Sequence, residues 1–255
     1  MDFMQVPLRA LLERFGLAYD VEVVKRMFFP GSDPAGEVKV SISYPANVST
    51  LQAISITEAS TIISRVFIRV TAFGVSATEQ LANRYGDSMK TAVKENFSNG
   101  EHDIPIDVDC IVEATPASLK KKIHRGKKSK EKTAVSALIM LETATGGLLS
   151  VDRTVGPSEI GSQYLAEQML SKLVGYLQSG ACVDEHLADN AVVFMALARG
   201  TSRLRVPCKD QLSSQHLETA LEIAARVSGA TYRLYDEGTS VILEVDGVGV
   251  RCLPT

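Results

Sequence analysis

The sequence predicts an α+β protein with its helices on one face of its sheets. Three observations lead there. Helical spacing and strand alternation are interleaved without a strict strand–helix–strand order. Long amphipathic stretches are bounded by helix start and stop residues. Two strand pairs are joined by glycine-containing turns.

The elements follow in order. Residues 5–16 carry Val6, Leu8, Leu11, Leu12 and Phe15 at helical spacing, with Gly16 as the stop. Residues 18–30 read as a strand, 31–36 (GSDPAG) as a turn and 37–45 as a second strand. In that second strand Val38, Val40, Ile42 and Tyr44 alternate onto one face. Residues 64–73 are a further strand. Residues 76–97 form a helix with Leu81, Tyr85, Met89 and Val93 four apart. A strand at 104–114 precedes a hairpin over 133–156 that turns at Gly146-Gly147. Helices are predicted at 158–180, after Pro157-Ser158 and ending at Gly180, and at about 184–198. A short strand at 203–207, a helix at 213–229 capped by Ser213 or Ser214, and a hairpin of 230–238 with 240–250 complete the chain. No internal repeat is evident from the sequence.

A chain of 255 residues with 45% apolar and 22% charged residues can bury a sizeable core. No segment approaches the roughly 18 consecutive apolar residues of a membrane span. The N-terminus, with Asp2, lacks the basic-then-apolar order of a secretory signal. Cys110, Cys182, Cys208 and Cys252 are scattered, with no C-x-x-C pair, which argues against a thiolate zinc site. They read as reduced thiols of an intracellular protein, in nucleus or cytoplasm, without a membrane partner.

Charge is segregated. Residues 120–132 (KKKIHRGKKSKEK) hold eight Lys/Arg against Glu131, a local +7 in a chain whose total is −3, so the remainder sums to −10. The ordinary reading is a solvated loop between strands. The functional readings are a phosphate-backbone contact through Lys127, Lys128 and Lys130, or a nuclear import signal. The run has no aromatic residue to stack a base, so it would add affinity without sequence choice.

Two helices carry candidate chemistry. His186, Asp189 and Asn190 stand at i, i+3 and i+4 and share one helix face, beside an apolar stripe of Leu187, Ala191, Phe194 and Ala198. Polar groups there are either solvated or hydrogen-bonded to a neighbour. His216 opens the next helix and heads a stripe of Ala220, Ile223 and Val227, the setting of a packed core histidine. A second reading gives it a role: the positive helix N-terminus keeps the imidazole neutral, and the amide N–H groups around it could hold a phosphate that it attacks.

The stretch VDEHLADNAVVFMALARGTSR, Val183–Arg203, resembles the signature helix of the RNA 3′-terminal phosphate cyclases, whose pattern runs close to V-D-E-Y-L-x-D-Q-x-x-x-F-M-A-L-A-x-G. SSQHLETALEIAARVSGATYRL and VILEVDGVGV resemble the family's closing segment, with its catalytic histidine. Residues 4–45 resemble its helix–strand–turn–strand, and 147–173 the segment leading back from its inserted domain. The resemblance is strong after Gly180 and weak between 50 and 135.

What the resemblance implies is specific. The fold would be cyclase-like repeats of a four-stranded sheet with two helices on one face, formed by 1–50 and 178–255. A smaller inserted α/β domain would occupy 51–177 and carry the lysine-rich loop. The family's histidine takes AMP from ATP and passes it to an RNA 3′-phosphate, and the neighbouring 2′-hydroxyl then displaces AMP to leave a 2′,3′-cyclic phosphate. By position, His216 would be the nucleophile. Asp189 would be a nucleotide-site acid, His186 would replace the usual tyrosine and Asn190 the usual glutamine. ATP and a divalent metal, magnesium or manganese, would be cofactors, and RNA 3′ ends the partner.

The family's chain is longer, and what is missing here is its N-terminal part with a glycine-rich E-G-G-G-Q-like segment. Its P-x-G-G-G-E cluster is represented by residues Pro30 to Glu37, with fewer glycines. A partner chain or a homodimer would then cover the missing half of the core. The alternative reading is a non-catalytic cyclase-like protein of rRNA processing. That branch typically lacks the histidine, which QHLETA at 215–220 retains.

Overall fold

The computed structural model describes residues 1–26, 36–43, 50–74, 76–97, 103–114, 133–156, 161–208 and 214–251. The lysine-rich run and Pro30–Ala35 lie outside them. The chain divides into two compact units: residues 1–62, 142–149 and 175–255, and residues 63–141 and 150–174. The sequence places the insert at 51–177.

The first unit opens with a helix. A π-helical turn, Met4–Leu8, contains Pro7 and runs directly into α1, Arg9–Arg14. Proline has no N–H for the helical ladder, and a widened turn accommodates it. Leu11, Leu12 and Phe15 are fully buried, as their spacing predicts. β1 (Ala18–Lys25) pairs antiparallel with β2 (Glu37–Ser43), placing Tyr19 opposite Ile42, Val21 opposite Val40 and Val23 opposite Val38.

A second sheet in this unit is assembled from distant segments. β3 (Ser55–Ile56), β8 (Arg199–Pro207), β9 (Thr231–Asp236) and β10 (Ser240–Val248) lie in the order β3-β8-β10-β9. β10 is antiparallel to both β8 and β9, while β3 is parallel to β8. Two helices belong with it: α4 (Glu185–Leu197) and α5 (Ser214–Ser228). One apolar cluster joins Leu11, Phe15 and Val21 to Leu187, Val192, Leu217, Leu221, Leu243 and Val245. The contact between α4 and β10 is close enough to require glycine. A Cβ on Gly247 would sit 2.2 Å from the Ala198 carbonyl oxygen and 2.4 Å from that of Met195.

The second unit holds the four-stranded sheet β5-β4-β6-β7, built from β4 (Ile63–Gly74), β5 (Ile106–Ala114), β6 (Ala134–Thr143) and β7 (Leu148–Val155). β4 and β5 run parallel, joined by α2 (Glu79–Phe97), so this stretch is a true strand–helix–strand crossover. Tyr85, Met89 and Val93 of α2 are fully buried, as expected from their spacing. α3 (Ser162–Ser179) follows β7. The mixed architecture is the α+β class expected. No helix among the described residues is long and apolar enough to cross a membrane.

Candidate functional site

The candidate residues sit on α4 and α5, which pack on each other in the first unit. α4 begins where it does because of Asp184. Its carboxylate accepts hydrogen bonds from the backbone N–H groups of His186 and Leu187, both at 3.0 Å, and so satisfies two otherwise orphaned donors. Asp184 itself is fully buried. The cap orients the first turn, and the turn sets Glu185 inward and His186 outward.

Glu185, i−4 to Asp189, is a buried carboxylate that the sequence reading does not single out. It accepts a 2.5 Å hydrogen bond from the Tyr176 hydroxyl. Burial, then this bond to Glu185, pushes the Tyr176 phenol far above its ordinary value. His186 Nε2 lies 3.7 Å from the other Glu185 oxygen, and its half-exposed ring meets the edge of Phe3 at 6.4 Å and 87°. Phe3 also escapes a sequence search: a lone aromatic 183 positions away carries no local signal of this contact.

Asp189 is the point where the predicted residues converge. It is only partly exposed. Burial raises its carboxyl above the ordinary aspartate value, while the charges of His186 and His216 pull it back and Glu185 pushes it up. Both histidines therefore lie within electrostatic reach of one carboxylate, although His216 is 27 residues away on another helix. Asn190 is exposed. Its amide nitrogen donates to the His186 carbonyl oxygen at 2.7 Å, one turn back in its own helix.

His216 departs from the packed-core expectation. It is exposed, and so are Ile223 (56%) and Val227 (82%), the residues expected to continue its apolar stripe. The face that α5 buries is offset from this stripe and consists of Leu217 and Leu221, with Ala220 and Ala224 partly buried beside them. The imidazole is thus accessible from solvent and near a carboxylate, which suits a nucleophile or a proton-transfer group more than a structural plug.

The signature stretch ends in structural work. Arg203 donates to Glu244 at 2.7 Å, and Arg233 pairs with the same carboxylate across the sheet. The Arg203 bond leads the interactions that hold the Glu244 carboxyl below its ordinary range. Among the described residues no group of three or more His, Cys, Asp or Glu side chains is placed to hold a metal ion. Lys127, Lys128 and Lys130 fall outside the described residues.

Comparison with known proteins places these features in a family. A family model described as RNA 3′-terminal phosphate cyclase matches residues 1–234. The chain is similar to the RNA 3′-terminal phosphate cyclase of Drosophila melanogaster, with 22% identity over 250 residues. It is similar to those of Pyrobaculum aerophilum, 23% over 249 residues, and Pyrobaculum neutrophilum, 23% over 262. In each case the match covers 98% of this chain and 62% of the relative. The chain therefore spans less than two thirds of the length of these relatives.

Proposed function

The chain belongs to the RNA 3′-terminal phosphate cyclase family, and from that premise we propose that it takes part in ATP-dependent cyclisation of RNA 3′-phosphates, with His216 as the adenylyl acceptor. An imidazole nitrogen of His216 attacks the α-phosphorus of ATP, a P–N bond forms, and the P–O bond to pyrophosphate breaks. AMP then transfers from the histidine to the oxygen of an RNA 3′-phosphate. The adjacent 2′-hydroxyl attacks that phosphorus, loses its proton and expels AMP, leaving the 2′,3′-cyclic phosphate.

What supports this reading is an exposed His216 at the start of α5, a helix that packs on the α4 carrying His186 and Asp189; the charges of both histidines also lower the Asp189 carboxyl that burial raises. A nucleophilic imidazole gains from a nearby carboxylate that orients the ring and stabilises the positive charge developing on it. Asp189 supplies that charge. His186, a flat and half-exposed ring, suits stacking on a purine. Asn190, bonded to its own helix, serves by stiffening that turn. Magnesium or manganese would come with the nucleotide. An intracellular location, in nucleus or cytoplasm, belongs to the same proposal, as does RNA binding by Lys127, Lys128 and Lys130.

The test is a cyclisation assay on an RNA ending in a 3′-phosphate, with ATP and magnesium, read by resistance of the 3′ end to phosphatase. Wild type should form the cyclic end, and His216→Ala should not. Equal product from both proteins contradicts the assignment. RNA binding without product would favour the non-catalytic alternative.

A further inference from the structure

β9, Thr231–Asp236, is the open edge of its sheet: all its residues are exposed, and no described strand pairs with its outer side. The ladder decides which backbone groups face outward. The Glu237 N–H donates to the Ser240 carbonyl oxygen, which closes the hairpin and sets the phase of the β9–β10 pairing. Opposite residues of an antiparallel ladder alternate between pairs that exchange both hydrogen bonds and pairs that exchange none. Counted back in steps of two, Tyr235 and Arg233 turn their N–H and C=O groups toward Ile242 and Glu244 of β10. Tyr232, Leu234 and Asp236 therefore turn theirs outward.

The side chains of the same three residues lie on the helix face of the sheet, because their partners Val245, Leu243 and Val241 are core residues. Tyr232 and Leu234 are nevertheless 38% exposed each. α5 packs along this edge and leaves more apolar surface there. Its residue Ala225 lines a small space with Val192 and Ala196 of α4, so that flank of α5 faces α4. Ile223 and Val227 stand two residues either side of Ala225, on the opposite flank of the helix, and both are exposed. The charge of Arg233 does not guard the edge, since Glu244 and Asp246 of its own sheet take it up. An edge strand that offers backbone groups beside exposed aromatic and aliphatic side chains is a template for pairing.

We infer that two copies of this chain join through β9, antiparallel, about a two-fold axis that passes by Leu234 perpendicular to the sheet. Such an axis keeps the helices of both copies on one side and sets outward backbone groups against outward ones. Leu234 then meets Leu234 of the second copy and Tyr232 meets Asp236, each pair exchanging both hydrogen bonds. A slip of one residue sets outward groups against inward ones and throws the helices to opposite faces. On the other face of the sheet Arg233 meets Tyr235 of the second copy, a cation beside a ring, with Glu237 one diagonal step away. Centring the pairing on Arg233 instead would oppose two like charges, and centring it on Tyr235 would leave only Leu234 to Asp236 in register. The two four-stranded sheets become one continuous sheet. Ile223 and Val227 of both copies flank the junction from the helix side. The inference does not depend on the chemistry at His216.

The test follows the 255-residue chain by light scattering after size exclusion over a range of concentrations. A dimer is expected at about 100 μM, falling towards the monomer on dilution. Hydrogen exchange resolved by residue should show the amides of Tyr232, Leu234 and Asp236 gaining protection as the dimer forms, with those of Arg233 and Tyr235 protected throughout. Leu234→Pro removes an outward N–H that the monomer's ladder does not use, a place where an edge strand tolerates proline. It should raise the dissociation constant about tenfold or more, and Leu234→Ala, which keeps the N–H, should raise it less. Ile223→Lys with Val227→Lys should also weaken the dimer. Both positions are exposed, so melting of that variant should be unchanged, which keeps the test open if Leu234→Pro fails to fold. A monomer at every concentration overturns the inference. So does a dimer in which the Tyr232, Leu234 and Asp236 amides stay unprotected, or one that Ile223→Lys with Val227→Lys leaves as tight. Protection of those amides in a monomer overturns it too, by making another segment of the chain the occupant of the edge.

Discussion

Tyr176 donates its hydroxyl hydrogen to the buried carboxylate of Glu185 at 2.5 Å, tying the end of α3 to the first turn of the signature helix. Tyr176→Phe keeps the ring and removes the donor, leaving Glu185 with one fewer partner in a buried place. The expected cost is about 1–3 kcal/mol in urea unfolding. An unchanged midpoint would mean that the bond contributes nothing net.

Asp184 decides where that helix starts. Asp184→Ala leaves two N–H groups of the first turn without their acceptor and should destabilise the protein by about 1–2 kcal/mol, while Asp184→Asn or Asp184→Ser should recover most of it. Thermal melts of the three variants read the order directly. Equal losses for all three would shift the explanation from capping to burial of the charge.

Asp189 gives a pH-dependent signature. Burial makes its carboxyl easier to protonate in the folded than in the unfolded chain. Its contribution to stability is therefore fully present below the unfolded carboxylate pKa and is lost as pH rises through the raised folded value. Asp189→Asn is neutral throughout and escapes that loss. The variant should melt above wild type at about pH 7, with the gap closing towards about pH 4. A variant less stable than wild type at neutral pH would show that the two histidines outweigh burial.

The lysine-rich run is tested by salt. Replacing Lys127, Lys128 and Lys130 with alanine removes three potential phosphate contacts. The slope of log affinity for single-stranded RNA against log salt should fall by about 2, at ~0.7 per phosphate contact. An unchanged slope removes these lysines from the RNA-binding surface.

How much of this was legible in the sequence depended on whether the signal was local. The α2 stripe of Leu81, Tyr85, Met89 and Val93 declares its buried face through spacing alone, and the structure buries the last three and leaves Leu81 half-buried. Gly16, Gly180 and Gly229 mark helix ends because left-handed backbone suits them, and all three have positive φ. Long-range pairing left no such trace. β3 is two residues long and exists only because Ser55 and Ile56 pair with Arg203 and Leu204. Val40 and Ile42 show strand alternation, yet alternation reports a common face and not whether anything covers it. The site divides the same way. His186, Asp189 and Asn190 are grouped by helical spacing, but the nearness of His216 to Asp189 is set by α4 packing on α5. Ile223 and Val227 misled for a related reason: apolar side chains at helical spacing mark a stripe, and only the position of the sheet decides which stripe is buried.

The adenylyl-acceptor role of His216 is tested most directly by covalent labelling. Wild type and His216→Ala are incubated with ATP labelled at the α-phosphate and magnesium. Protein-bound label is then resolved by its stability to acid and alkali. The expected result is label on wild type that is lost in acid, survives alkali and is absent from His216→Ala. No label on wild type, or equal label on the variant, would contradict it.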